Sequence, residues 1–182
     1  MFPLRIPYTF SPYDFEVSLD VDQSAAVPSI IEVASFVDLA IIERLHSFPE
    51  ELKRLDRRVF EELVAELFCG FGYQVELTKR TKDGGIDVVA IKNDQFKVKF
   101  LIQCKRPDPG NPVGIEVVRD LRGVLRSAGN QASKAIIATT TRLTRGAKQF
   151  ITENEWDLEG KEYDDIHTWI KQYLSARSSA PR

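Results

Sequence analysis

Cysteine, histidine and methionine are scarce in this chain, whose 182 residues hold two Cys, two His and one Met. Two cysteines, Cys69 and Cys104, are too few for a disulfide framework, and neither belongs to a zinc-type spacing. Both lie in apolar runs, where a reduced cysteine is a small hydrophobe. A cytoplasmic protein is therefore the simplest expectation. His46 and His167 have no partner pattern and are expected on helix surfaces or at helix ends. No apolar run reaches the length of a membrane span. Residues 1–15 lack a basic segment followed by an apolar one, so no signal peptide is expected. Internal repeats are also missing.

What is present suits a packed core: 43% of residues are hydrophobic and 29% charged, in a length that fits one domain with room for an appendage. The net charge of −2 hides an asymmetry. Residues 56–148 carry 17 Lys and Arg against 11 Asp and Glu, whereas residues 1–55 carry 4 against 9. The basic middle is where an anionic partner is sought. Chance placement of solvated surface charge is the plain alternative.

Periodicity gives the order α-β-β-β-α-β-α. Residues 1–27 read as an extended arm with a short strand near Phe15–Leu19. Ser29–His46 has helical spacing, with Ser29 and Glu32 in a capping-box pattern and Pro49 as its stop. A second helix is expected from about Asp56, its N-cap, to Cys69, ended by Gly70 and Gly72. Strands follow at Tyr73–Thr78, Ile86–Ile91 and Val98–Lys105, with a basic glycine-containing loop at Lys79–Gly85. A helix over Gly114–Ala128 precedes a nearly continuous apolar strand, Lys134–Thr140, of the kind buried on both faces. Thr144 caps a helix to about Glu153, Trp156–Leu158 suits a short strand, and Tyr163–Leu174 a last helix before a disordered tail. Trp156 and Trp169 are expected in the core or facing a partner. This order argues for an α/β/α sandwich around a mixed sheet.

The chemistry gathers around Asp87 and Gln103-Cys104-Lys105. Side chains alternate along a strand, so Gln103 and Lys105 share a face while Cys104 points into the core. An amide and an ammonium near a strand end are costly without partners. A Lys105–Asp87 ion pair would satisfy them and do nothing more. The richer reading is hydrolysis of a phosphodiester. A hard cation takes oxygen ligands, and Asp87, the Gln103 side-chain carbonyl and the Cys104 backbone carbonyl can supply three. Lys105 can then orient or deprotonate a water and stabilise phosphate charge. Glu61, on the preceding helix, can complete the metal shell or be a solvated helical acid. Gly84 and Gly85 let the backbone approach a phosphate closely.

Several short motifs in order carry a family likeness. Phe60-Glu61-Glu62-Leu63-Val64-Ala65-Glu66-Leu67-Phe68, Gly72-Tyr73-Gln74-Val75, Thr78, Asp83-Gly84-Gly85-Ile86-Asp87, Ile102-Gln103-Cys104-Lys105-Arg106 and Ala135-Ile136-Ile137-Ala138-Thr139-Thr140 with Thr144-Arg145-Gly146-Ala147 form the set. Together, over roughly Leu52 to Leu174, they resemble the catalytic domain of Mrr-type restriction endonucleases in the PD-(D/E)xK nuclease superfamily. The resemblance implies a restriction-endonuclease-like fold and a metal-dependent DNA endonuclease, with Mg²⁺ as cofactor and Mn²⁺ as its substitute. It places the metal-binding acid on Asp87, the second metal position on Gln103, the catalytic lysine on Lys105 and the helical acid on Glu61. Gln103 stands where the wider superfamily has Asp or Glu, which leaves one anionic ligand fewer.

Basic residues flank these positions. Lys79, Arg80 and Lys82 precede Asp87, and Arg106 follows Lys105. Arg119, Arg122 and Arg126 share a helix face, and Arg142, Arg145 and Lys148 follow the buried strand. With Gly84, Gly85 and Thr140 they are candidate DNA contacts, most of them to phosphates. A solvated helix face is the alternative for the Arg119 triplet, and Thr140 can equally just end its strand.

The organisation expected is an acidic arm and helix over residues 1–51, a nuclease domain over 52–175 and a flexible tail over 176–182. The leading function is an endodeoxyribonuclease in restriction or defence against foreign DNA. A structure-specific nuclease resembling a junction resolvase, or a non-cleaving module that binds DNA or a partner, are the alternatives. No further domain for reading DNA is evident, so low specificity or targeting by a partner chain is expected. A homodimer would let two copies of one site cut both strands.

Overall fold

A computed structural model describes residues 36–78, 85–127, 129 and 131–179. The expected arm, its strand near Phe15, the Ser29 capping box, and the loop residues Lys79, Arg80, Lys82, Asp83 and Gly84 lie outside the described residues.

Helix α1 spans Leu39–Ser47 and is capped by Asp38, whose side chain accepts from Ala40 N. Among the described residues the helix begins at Leu39, within the expected Ser29–His46 span. Pro49 does end it, and opens a short 3₁₀ helix, Pro49–Arg54. Helix α2 is Arg57–Gly70, with Asp56 as N-cap as expected. Strand β1 (Gln74–Leu77) pairs antiparallel with β2 (Val88–Asn93), and β2 antiparallel with β3 (Lys97–Lys105). Helix α3 (Ile115–Arg126) carries the chain back, so that β4 (Lys134–Thr139) lies parallel to β3. Helix α4 (Arg145–Glu153) follows, then β5 (Leu158–Lys161), parallel to β4, and α5 (Tyr163–Ser179). The five strands stand in chain order, a mixed sheet.

The alternation in the strands explains the layers. Val88, Ala90, Ile102, Cys104, Ile136 and Ala138 face one way and pack with α1, α2 and α5. Leu101, Ala135, Ile137 and Leu158 face the other and pack with α3 and α4. The result is the expected α/β/α sandwich. Ile42 and Leu45 of α1 belong to the first core, so this helix, before residue 52, shares a core with α2 and α5.

Three local expectations fail for reasons visible in the packing. Cys69 is exposed at the last turn of α2, although its sequence neighbours are apolar. Trp156 is outside any strand and 85% exposed. The strand starts two residues later because Leu158 pairs with Ala135, and a Cβ at Gly160 would collide with the Leu143 side chain. Residues 176–179 are helical rather than a loose tail. The Ser175, Ser178 and Ser179 hydroxyls each bond back to a carbonyl four residues earlier, and Arg177 reaches the Tyr173 hydroxyl at 3.1 Å. The two histidines, isolated in sequence, face each other from α1 and α5, their rings 6.0 Å apart.

Tyr173 is the polar link in the first core. Its hydroxyl donates to Glu66 Oε1 at 2.6 Å, while Glu66 Oε2 accepts from Phe36 N at 2.8 Å. One buried carboxylate on α2 thus holds α5 and the segment leading into α1. Burial, then Glu66, push the Tyr173 hydroxyl up to about 12, so it remains a donor throughout the working range. Tyr173→Phe keeps the ring but strips a buried carboxylate of its donor. We expect a loss of about 1–3 kcal/mol in unfolding free energy, read from urea denaturation, with little change in m-value.

Candidate active site

The site forms where β2 begins and β3 ends. Asp87 lies one residue before β2. Its N–H donates to Ile102 O at 2.9 Å, extending the β2–β3 ladder. Its Oδ2 accepts from Cys104 N at 2.7 Å. The carboxylate therefore caps the ladder instead of hanging in solvent, and no described hydrogen bond reaches Oδ1. On the other side Thr78 locks the same backbone: its N–H donates to Asp87 O at 2.9 Å, and its hydroxyl donates to Ile86 O at 2.6 Å.

Gln103 is 7% exposed on the opposite face of β3 from Cys104. A Cβ at Gly85 would collide with Gln103 Nε2, and Gly85 itself has φ +81°, so this position needs glycine twice over. The Gln103 Oε1 atom is buried with no hydrogen-bond partner. A buried amide oxygen without a donor is costly, and it is the kind of oxygen a hard cation takes up. Lys105, half-buried, shares the Gln103 face.

Glu61 is 3% exposed, so the solvated alternative does not hold. Arg58 Nη1 bridges Glu61 Oε2 at 3.1 Å and Thr78 O at 3.2 Å, and Arg58 Nε lies 3.4 Å from Glu62 Oε1. Asp87 feels this acid. Burial raises the Asp87 carboxyl above its ordinary value, the Cys104 N–H opposes that, Glu61 raises it further, and Lys105 and Arg57 lower it. Burial, with Asp87 and Glu61 nearby, pushes the Cys104 thiol well up, so this cysteine is no nucleophile. Among the described residues no three His, Cys, Asp or Glu side chains cluster as a metal site. A cation here would rest on Asp87 and Glu61 together with the Gln103 amide oxygen and the Cys104 carbonyl, and the unpartnered Gln103 Oε1 fits that donor set.

The flanking basic residues divide into two groups. Helix α3 runs back from the end of β3, which takes Arg122 and Arg126 to the far end of the sheet. There Arg122 Nε donates to Asp157 Oδ2 at 3.1 Å, and Arg126 pairs with both Asp157 oxygens. These arginines hold Asp157, and with it the start of β5, rather than the edge at Asp87. Arg119 lies over the Phe150 ring at 5.5 Å. Arg142 and Arg145, by contrast, lie just past β4 at the Lys105 end. They line a cleft of about 860 Å³ with Lys53, Thr144, Lys148 and Tyr163. The Thr144 hydroxyl caps α4 at Ala147 N. Arg58 and Thr78, which fix Glu61 and Asp87, were not evident as site residues in the sequence. Arg58 stands at helical ion-pair spacing from Glu61 and Glu62, and Thr78 belongs to the family motif, but the contacts Arg58–Thr78 and Thr78–Asp87 join different elements.

Comparison with known proteins finds the same restriction-endonuclease-like fold. Residues 52–169 match the Mrr_cat restriction endonuclease family model, and the chain belongs to that family. The uncharacterized protein y4cE of Sinorhizobium fredii is 27% identical over 132 residues, covering 71% of this chain and 33% of that protein. Two solved structures share the fold. The MspJI restriction endonuclease, in complex with a 27-mer oligonucleotide, has a TM-score of 0.51 and 19% identity, over 76% of this chain and 32% of that one. The DNA modification-dependent restriction endonuclease AspBHI has a TM-score of 0.51 and 19% identity, over 78% and 40%. The chain thus spans a third or so of the length of these relatives.

An acid held above its ordinary pKa binds its proton more tightly folded than unfolded. Its favourable contribution is complete below the unfolded value and is lost as pH rises through the folded one. At neutral pH ionised Asp87 is therefore a cost that a cation relieves. We expect Mg²⁺ or Mn²⁺ at about tenfold its Kd to add about 1.4 kcal/mol, or about 3–6 °C in Tm, in differential scanning fluorimetry. Asp87→Asn should abolish that shift and, without metal, gain stability on the wild type as pH rises from about 4 to 7. An unchanged metal shift in the variant would place the cation elsewhere.

Proposed function

We propose that this chain is a metal-dependent endodeoxyribonuclease, with Mg²⁺ as its cation and restriction of foreign DNA in the cytoplasm as its role. The observation that carries the reading is the Asp87 carboxylate clamped by Cys104 N–H beside an unpartnered Gln103 Oε1. Asp87, Glu61, Gln103 and the Cys104 carbonyl would hold the cation. Bound there, a divalent ion polarises a phosphoryl oxygen and makes a bound water more acidic.

The chain's own residues supply the rest. Lys105 places an ammonium beside the Asp87 carboxylate, where it orients the attacking water and meets the charge that grows on the phosphate. Arg58 keeps Glu61 turned toward the site by an ion pair. Thr78 fixes the Asp87 backbone from β1. Arg142 and Arg145 line the cleft that a duplex backbone would follow. Two copies of the chain acting together would cut both strands. Membership of the restriction endonuclease family supports hydrolysis over a binding-only module, because Asp87, Gln103 and Lys105 are all intact.

The test is cleavage of supercoiled and linear plasmid with Mg²⁺, Mn²⁺ or EDTA. Metal-dependent cutting is expected, falling by about 100-fold or more in Lys105→Ala and to background in Asp87→Ala. Cutting that persists in EDTA, or in both variants, would overturn the assignment. Binding of methylated, unmethylated and branched DNA without cutting by the wild type would favour the binding module.

A further inference from the structure

At the Lys105 end of the sheet two buried side-chain polar atoms have no hydrogen-bond partner, and neither belongs to the proposed metal-binding set. The Arg106 Nε atom and the Thr140 Oγ1 atom make no hydrogen bond. Thr140 is 0% exposed. The two are neighbours by register. Lys105 pairs with Thr139 in the parallel β3–β4 ladder, and Thr140 N donates to Lys105 O at 3.3 Å, which brings residues 106 and 140 side by side one step further on. Continuing the strand alternation one residue past each strand puts both side chains on the face that carries Cys104 and Ala138, opposite Lys105. The adjacent threonines differ: Thr139 and Thr141 bond each other, and Thr141 donates to Asn111 O at 3.0 Å. Arg106 also has no ion pair among the described residues, although seven of the chain's basic side chains do.

An Nε–H can only donate, and a threonine hydroxyl is free to turn as a donor. Two adjacent buried donors lack an acceptor oxygen, and an anionic one would satisfy them most strongly. A guanidinium forks onto phosphate oxygens in this way, and a hydroxyl beside it adds a further donor. We propose that Arg106 and Thr140 form a second phosphate seat, back to back with Lys105 across the end of β3, which takes a backbone phosphate other than the one cut. The proposal rests on DNA being the substrate. It assigns the seat a positioning role: holding a second phosphate fixes the strand's register against Asp87 and Lys105.

The test measures binding of a fluorescent duplex by anisotropy over a salt series, with Ca²⁺ in place of Mg²⁺. Wild type, Arg106→Ala, Arg106→Lys and Thr140→Val are compared. Arg106→Ala should weaken binding by about tenfold or more and flatten the slope of log K against log salt by about 0.9. Arg106→Lys should keep the slope and lose affinity. Thr140→Val should weaken binding while its Tm stays level or rises, since it removes a buried hydroxyl that has no partner. All variants should retain the metal-induced thermal shift, showing an intact site. Variants that bind like the wild type, with the same slope, would mean that water fills the seat and would overturn the proposal while leaving the nuclease reading in place. A Thr140→Val protein that loses Tm but not affinity would mark the hydroxyl as structural and also overturn it. A wild type that binds no duplex would overturn both readings together.

Discussion

The hydrogen bond from Cys104 N to Asp87 Oδ2 ties the chemistry to the sheet. It places a carboxylate at the point where β2 and β3 stop pairing, and it uses a backbone donor that the ladder would otherwise leave free. Everything nearby is arranged around it. Thr78 holds the carbonyl side of the same residue from β1. Cys104 sits in the core with its thiol suppressed, so its backbone serves the site while its side chain packs. Gln103 and Lys105 flank it on the other face. Moving β3 by one residue would exchange these faces, putting the amide and the ammonium in the core and the thiol at the site. The packing of Ile102 and Cys104 against α2 and α5 is therefore what fixes the register of the active groups.

The same geometry sets an electrostatic balance. Two acids, Asp87 and Glu61, approach closely enough for Glu61 to raise Asp87, yet each is already answered in part: Asp87 by a backbone N–H and Lys105, Glu61 by Arg58. A third carboxylate at position 103 would add repulsion that nothing described offsets. Glutamine supplies an oxygen without the charge, at the expense of weaker attraction for a cation. The residue that looks like a weakness of the site, compared with an acid, suits a pocket in which carboxylates are already buried.

Much of this architecture was legible in the sequence. The β3 alternation, the apolar run of β4 and the Asp56 and Thr144 caps are local patterns, and each appears where its chemistry requires. Other features were less legible. The start of α1 is set by the Asp38 cap, which its sequence context does not single out. The last turns of α5 are helical, with Arg177 reaching back to the Tyr173 hydroxyl, although a serine-rich end reads as a tail. Strand β5 contains Glu159, Gly160 and Lys161, poor strand formers by propensity, and exists because β4 offers an open parallel edge. Burial of Glu61 follows from the packing of α2 over the sheet and the reach of Arg58, neither of which has a signature at position 61.

The distribution of basic residues makes the same point about charge. Read along the chain, Arg119, Arg122 and Arg126 are as good a phosphate-binding row as any. In the fold, two of them answer Asp157 at the end of the sheet away from Asp87, and the third lies over an aromatic ring. Arg122 and Arg126 are thus paired with an acid away from Asp87. Arg106, Arg142 and Arg145 have no ion pair among the described residues, and all three follow the C-terminal ends of β3 and β4. Unpaired positive charge is thus present at the Lys105 end of the sheet, while the Arg122 and Arg126 charges are paired at the other end. A polyanion approaching this face meets the residues whose charge is still available. In a chain with net charge −2, that placement, not the total, would govern how a polyanion meets this face.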